Sequence, residues 1–374
     1  MATLFDETTI NGMTLRNRMV RSATWEGMCD PAGRPTDKLN DYCSDLAEGG
    51  IGLIISGYTF IRSEGRQLPG QMGIYSNDFE DAYKRLTDAV HDGGGKIAIQ
   101  LVHAGGQTDS ANAGRRPLAP SAVKVDQFSE IPAELTKDEI GDIITAFGEG
   151  ARRARAWGFD GVQLHSAHGY LINQFLSPHT NRRSDAYGGS VENRSRFLLE
   201  TYKEVRAAVG ADYPVLVKLN GADNLDGGLS SEDAVYAAKM LAEAGIDAIE
   251  VSAGTRVSGE KNPVREKINM PEKEAYNLEL ARRIKQAVGS PVMVVGGFRS
   301  YEVVRKAVSD DKMDYIAMAR PFIREPDLPK RWLRGDRTPA ECLSCNKCFA
   351  PGLEEGGIYC VARKILEEKG AKDQ

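Results

Sequence analysis

The stretch GVQLHSAHGYLINQFLSPHTNRRSDAYGGSVENRSRFLLETYKEVRAAVGADYPVLVKLN, residues 161–220, decides the fold. It opens on an apolar run from Gly161 to His165 and crosses a polar loop. A segment of helical period then starts on Ser190 and stops on Gly210, and a second apolar run goes from Pro214 to Leu219. Neither run alternates apolar with polar residues as a half-exposed strand would. Both therefore read as strands covered on two faces and joined by a crossover helix.

The same unit recurs along the chain. Further runs rich in β-branched residues fall at Met19 to Thr24, Ile51 to Ser56, Lys96 to Val102, Ala248 to Val251, Pro291 to Val295 and Tyr315 to Met318, which makes eight. Between them lie helical segments such as DFEDAYKRLTDAVHDGG (78–94), TKDEIGDIITAFGEGARRARAWG (136–158) and SSEDAVYAAKMLAEAG (230–245). Eight alternating units place the chain in the α/β class and predict a closed (β/α)8 TIM barrel rather than an open doubly wound sheet.

Such a barrel takes roughly 250 residues, and the remainder of the 374 is read as attachments to a single domain spanning 1–374. An N-terminal hairpin is expected around Asn11-Gly12. Long loops follow the third strand (103–123), the fourth (177–190) and the sixth (252–277), all on the face where such barrels build their sites. A Cys-rich extension covers 336–374, and its tail, EEKGAKDQ, reads as solvated and frayed.

Composition narrows the function. The 48 Lys+Arg against 53 Asp+Glu give a net charge of -5, and no basic block tracks a phosphate backbone, which argues against nucleic acid and anionic membrane as partners. No apolar run approaches the roughly 18 residues of a bilayer span, and MATLFDETTI lacks the features of a secretory signal, so a cytoplasmic protein is expected. Cys342, Cys345, Cys348 and Cys360, spaced C-x2-C-x2-C-x11-C, suggest metal before disulfides in a reducing compartment. On ligand count a [4Fe–4S] cluster and an all-thiolate zinc site fit equally, with free thiols as the plain alternative. Asn346 and Lys347 stand between the thiols as donors or charge toward such a cluster.

If the barrel closes, the polar residues at its strand ends meet at one mouth. These are Thr24, Trp25, Ser56, Gln100, His103, His165, His168, Tyr170, Lys218, Asn220, Gly296, Gly297 and Arg320. Taken singly, His165 reads equally well as a core histidine and Lys218 as a snorkelling side chain. A cation inside VLVKLN is nevertheless costly to bury unless it meets an anion or acceptor. DGGGK at 92–96 lacks phosphate-loop spacing and reads as a helix cap. VVGGFRS followed by IAMARPF fits a phosphate site after strands seven and eight, where Gly296 and Gly297 admit backbone N–H groups to an anion and Arg320 forks onto it.

With HSAHGYLINQFLSPHTNRRSDAYGGSVENRSRF as signature, and from LFDETTINGMTLRNRMV to MARPFIREPDL, the sequence resembles the old yellow enzyme family of FMN-dependent ene-reductases. MARPFIREPDL followed by ECLSCNKC most resembles the branch of 2,4-dienoyl-CoA reductase and trimethylamine dehydrogenase. Those enzymes carry a further flavin and dinucleotide module, and this chain looks like the catalytic barrel alone. The resemblance implies FMN across the mouth, its phosphate on Gly297, Ala319 and Arg320, with Gly296 beside them. Gln100 and Lys218 would meet its pyrimidine edge, and Ser22, Ala23, Thr24 and Gly57 would line the ring. Many relatives place Arg where Lys218 stands, so the charge is kept and the fork lost.

The same resemblance gives His165 and His168 the role of hydrogen-bond donors to the oxygen of an α,β-unsaturated carbonyl, and Tyr170 that of general acid at the α carbon. Trp25 falls about where relatives place Thr or Cys and would narrow the substrate pocket, unless a one-residue shift puts Thr24 there. The implied reactants are NADH or NADPH and a small enone-type acceptor, docking on one flavin face in ping-pong order, with a homo-oligomer left open. Amine demethylation is the runner-up within the family. A zinc hydrolase built on His165 and His168, and a scaffold for the cysteine segment, are the readings outside it.

Overall fold

The computed structural model describes residues 2–372. Eight strands close a parallel barrel: β1 (Met19–Arg21), β2 (Leu53–Phe60), β3 (Ile97–Val102), β4 (Gly161–Ser166), β5 (Val215–Asn220), β6 (Ala248–Ser252), β7 (Val292–Val295) and β8 (Tyr315–Met318). Each pairs in parallel with its neighbours in chain order, and β8 pairs with β1. The expected (β/α)8 TIM barrel is the observed fold. Helices Asp37–Glu48, Glu80–Asp92, Lys137–Ala156, Val191–Val209, Ser231–Glu243, Leu278–Ala287 and Tyr301–Ser309 cross between successive strands. Thr136 opens one of them with a reciprocal capping box to Glu139, and Ser190 and Ser230 cap two others through the backbone N–H groups of Asn193 and Asp233.

The hairpin pairs Thr8–Ile10 with Met13–Leu15, turning on Asn11 (φ 41°) and Gly12 (φ 80°), the two left-handed residues that a tight hairpin of this twist requires. Its Ile10, Met13 and Leu15 join Val20, Leu53, Ile55, Ala98, Leu216, Ala248, Met293, Tyr315 and Ala317 in one apolar cluster. The hairpin thus supplies apolar side chains to the cluster that fills the barrel interior, leaving the strand C-termini to build a site. Among the described residues, no helix is long and apolar enough to cross a membrane.

Two strands differ from their expected bounds by more than one residue at an end. β1 stops at Arg21, not Thr24, because residues 22–24 turn into the mouth. β2 runs on to Phe60, with a register shift against β3 between Ile55 and Tyr58. In the extension a helix spans Val361–Lys372, so the tail expected to fray is helical to Lys372, exposed from Arg363 to Lys369. Residues 373 and 374 of that tail lie outside the described residues.

Where β1 meets β2, the Arg21 guanidinium pairs with Glu26 at 2.8 Å, their side chains 1% and 3% exposed. Arg21 also donates to the carbonyl of Ile55 at 2.7 Å, and Glu26 accepts the N–H of Gly57 at 3.0 Å. A Cβ on Gly57 would lie 2.0 Å from Glu26 Oε2, so glycine is required for close approach. Removing one member of a buried pair leaves the other uncompensated. Glu26→Ala is therefore expected to destabilise the fold by about 3–5 kcal/mol, measured by denaturant unfolding of the purified protein.

Candidate active site

A cavity of about 600 Å³ opens at the C-terminal ends of the barrel strands, within the size range of small-molecule sites. Its floor is a chain of buried polar side chains. Lys218 on β5 donates to Glu250 on β6 at 3.0 Å and to Ser22 at 2.7 Å, and Ser22 donates to the same Glu250 oxygen at 2.6 Å. Gln163 on β4 donates to the other Glu250 oxygen at 2.9 Å, and Gln100 on β3 donates to Gln163 at 2.6 Å. Glu250 is therefore the anion that burial of Lys218 requires. At the end of the chain Gln100 Oε1 is buried without a partner, an acceptor facing a cavity with nothing yet to accept.

The end of β4 and the loop after it bring His165, His168 and Tyr170 to the cavity wall. His168 (φ 61°) and Gly169 (φ 82°) are consecutive left-handed residues, held by Asn220 Oδ1 on the His168 N–H at 3.2 Å and by Gln107 Nε2 on the His168 carbonyl at 2.8 Å. This turn brings the His165 ring to 5.2 Å from His168 and 4.6 Å from Tyr170. Burial, then the positive charge of neighbours including Lys218, holds both histidines well below their ordinary pKa, so they stay neutral at neutral pH. His165 Nδ1 accepts the Ala167 N–H at 3.3 Å, which assigns the ring proton to Nε2. His168 Nε2 shares a hydrogen bond of 2.7 Å with Ser252. Burial raises the Tyr170 pKa, and its hydroxyl donates to Gln67 at 2.8 Å.

Elsewhere on the wall, Gly297 (φ 73°) follows β7, and a Cβ there would come within 2.7 Å of the Tyr276 ring. Arg320 follows β8 and donates to Asn346 Oδ1 at 2.6 Å. Asn346 in turn donates to the carbonyl of Val264 at 2.9 Å, in the loop after β6. Phe349 and Leu353 of the extension also line the cavity. Trp25 lies against the extension, its ring 2.7 Å from the position of a Cβ on Gly352.

Of the residues singled out from sequence, Ser22, Ala23, Thr24, Trp25, Gln100, His165, His168, Tyr170, Lys218, Gly297, Ala319 and Arg320 all line this one cavity. Gly57 and Gly296 do not. Gly57 is packed on Glu26, and the Gly296 carbonyl accepts the Tyr276 N–H at 3.1 Å. Ser56, His103 and Asn220 are also absent from the lining. Burial pushes His103 down to about 4, against the pull of Glu64. Sequence reasoning missed Glu250, Gln163, Tyr58, Gln67, Arg256 and the cavity-lining place of Asn346. A polar residue in the middle of an apolar strand, as in GVQLHS and AIEVS, was the available signal for the first two.

A sequence model of the NADH:flavin oxidoreductase / NADH oxidase family matches residues 3–338, and the chain belongs to this family, that of old yellow enzyme. It is 37% identical over 367 residues to an NADH oxidase of Thermoanaerobacter brockii, covering 97% of this chain and 54% of that protein. The structure superposes on that of a 2-naphthoyl-CoA reductase in complex with 2-naphthoyl-CoA with a TM-score of 0.88 at 31% identity, covering 96% of this chain and 56% of the other. For the old yellow enzyme homologue of Zymomonas mobilis the TM-score is 0.78 at 32% identity, covering 90% and 94%. The chain spans about half the length of the first two of these proteins.

Among the described residues, no group of three or more His, Cys, Asp or Glu side chains is gathered to hold a metal ion. Cys342 and Cys348 are buried, Cys360 is half-buried and Cys345 is exposed. Cys360 accepts from Arg324 at 3.5 Å, and Cys342 accepts the Ser344 N–H at 3.5 Å. Burial raises the Cys342 thiol and pushes Cys348 up to about 12, and neighbouring thiols add to this, Cys360 at Cys342 and then Cys342 and Cys345 at Cys348, so the four lie near one another. The structure by itself lends no support to the expected [4Fe–4S] or zinc site. Alkylation by iodoacetamide followed by peptide mass spectrometry is expected to label Cys345 first and Cys43 and Cys348 last. Protection of Cys345 that a chelator abolishes would restore the metal reading.

Proposed function

We propose that the chain is an FMN-dependent oxidoreductase that takes hydride from NADH or NADPH and reduces the C=C bond of an α,β-unsaturated carbonyl. One observation carries the reading. A single cavity combines an arginine and a left-handed glycine suited to a phosphate, a floor with an unpartnered amide oxygen, and three neutral proton donors around one point. FMN, when bound, supplies the capacity to accept and deliver hydride.

Everything else falls to the chain's own residues. Arg320, with the backbone of Gly297 and Ala319, would hold the phosphate. Gln100 Oε1 would accept from the ring system, and Ser22, Ala23, Thr24 and Lys218 would line it. Lys218 is paired with Glu250, so it presents a directed N–H rather than a bare charge. His165 Nε2 and His168 would donate to the carbonyl oxygen of the acceptor as charge develops there, and neutral imidazoles do this without carrying a proton of uncertain occupancy. Tyr170, kept protonated by burial, would deliver its hydroxyl proton to the α carbon. Trp25 on the wall restricts the acceptor's size. Donor and acceptor would use the same cavity in turn.

Two measurements test the reading. Arg320→Ala loses a charge-assisted contact and is expected to weaken FMN binding about 10- to 100-fold, read by flavin fluorescence on dilution. Tyr170→Phe is expected to slow reoxidation of the reduced enzyme by cyclohexenone about 10²- to 10⁴-fold, while reduction by the nicotinamide donor proceeds at the wild-type rate. A purified chain that binds no FMN, or Tyr170→Phe slowing only the nicotinamide step, would overturn these roles.

A further inference from the structure

Tyr58 belongs to none of the roles above, yet the fold goes to some length to place it. All of β2 from Leu53 to Phe60 is buried, and its register against β3 shifts between Ile55 and Tyr58. Such a bulge re-aims the side chains that follow it. Gly57, which tolerates no Cβ beside Glu26, sits inside the bulge. Tyr58 thereby reaches the cavity, its ring 5.3 Å from that of Tyr170 and 6.4 Å from that of His165.

The two phenols converge on one atom. Tyr58 and Tyr170 each donate to Gln67 Oε1 at 2.8 Å. A carbonyl oxygen has two lone pairs, so this acceptor is full. Gln67 is fixed in turn by Gln71, which accepts its backbone N–H at 2.8 Å and donates to the Tyr58 carbonyl at 3.1 Å. The Nε2 of the same Gln67 amide is buried with no partner. The arrangement satisfies two neutral phenols and holds a spare donor where one of them would become an anion.

We propose that Tyr58 is a positioning residue for proton donation by Tyr170: it shares Gln67 as a common acceptor and turns its own hydroxyl onto the Tyr170 oxygen when that oxygen gives up its proton. The inference rests on the ene-reduction reading. In the step, the Tyr170 O–H bond breaks and a C–H bond forms at the α carbon from the electron pair of the enolate. The Tyr170 oxygen keeps its bonding pair and recovers a proton from water at the cavity mouth. The charged and titratable groups around the pair fit this division. Burial raises both phenols, while Arg256, from the loop after β6, and the Tyr58 hydroxyl draw Tyr170 back down. Tyr58 is held well above its ordinary value by burial and then by Tyr170 beside it, with Arg256 opposing this and the carboxylate of Glu26 adding to it. Hydrogen bonding between the two phenols raises Tyr58 and lowers Tyr170, so Tyr170 is the one that ionises more readily, and His165 and His168 beside it are neutral.

The test uses Tyr58→Phe, Tyr170→Phe and the double variant, each first checked for bound flavin by its visible spectrum. Tyr58→Phe should slow reoxidation by cyclohexenone about 10-fold, the loss of one hydrogen bond to a charged group, and move the alkaline limb of that step to higher pH. Reduction by NADH should stay at the wild-type rate, and the double variant should match Tyr170→Phe alone. An unmoved alkaline limb, or a double variant slower than Tyr170→Phe by the full Tyr58→Phe factor, overturns the proposal. A loss in Tyr58→Phe with none in Tyr170→Phe makes Tyr58 the donor and overturns it as well. If the wild-type enzyme is reduced by NADH but never reoxidised by an enone, the ene-reduction reading fails separately. The Tyr58–Tyr170 relation is then decided by ultraviolet titration of the Tyr170 phenolate, which Tyr58→Phe must shift upward.

Discussion

The ion pair between Lys218 and Glu250 is the constraint on which the upper half of the barrel depends. Their side chains are 3% and 0% exposed, and removing each ion from water costs several kcal/mol unless its hydrogen-bonding capacity is filled. Two partners fill it, and a third holds one of them. Ser22 bridges both ions from the end of β1, Gln163 reaches the second carboxylate oxygen from β4, and Gln100 follows from β3. Five of the eight strand positions are thereby tied to one buried charge pair. A register slip in any of these strands would strand a charge or an amide in an apolar layer, so the floor of the cavity and the closure of the barrel are specified together.

The wall above that floor obeys the same electrostatics with the opposite outcome. Where Lys218 and Glu250 pair with each other, His165, His168, Tyr58 and Tyr170 make no ion pair and are driven to their neutral forms by burial. Neutral imidazoles and phenols are donors of N–H and O–H, suited to charge that appears only during a reaction. Their placement costs backbone strain at His168, a non-glycine residue at φ 61°. Asn220, Gln107 and Asn173, which accepts the Gly169 N–H, hold that turn in place.

The Cys-rich extension serves the cavity as a wall. Ile358 donates its N–H to the Glu26 carbonyl at 2.9 Å, Gly352 packs on Trp25, and Asn346 ties Arg320 to the loop after β6. Asn346 adopts φ 57°, a conformation that Asn tolerates better than most residues, and this places its amide between the two elements. Asn346, which stands between two of the thiols, thus orients the cation at the proposed phosphate site.

By itself the sequence determined the repeating unit. Apolar runs without alternation, helices opening on Thr136, Ser190 and Ser230, and Asn11-Gly12 at the hairpin are local signals, and local signals survive without knowledge of the fold. It also determined most of the cavity lining, because polar residues at strand ends of a closed barrel have one place to go. What only the tertiary structure decided are the partners. Glu250 lies 32 residues from Lys218 and Gln163 lies 63 from Gln100. Tyr58 faces Gln67 and Tyr170 because of a bulge that no residue type announces, since Ser56-Gly57 reads equally as strand or turn. Gly57 packs so closely on Glu26 that no side chain fits there, which its place in the sequence does not announce. Spacing along a chain sets which residues are near a strand end. Which atom meets which depends on closure, register and the demand that every buried charge and donor find a partner.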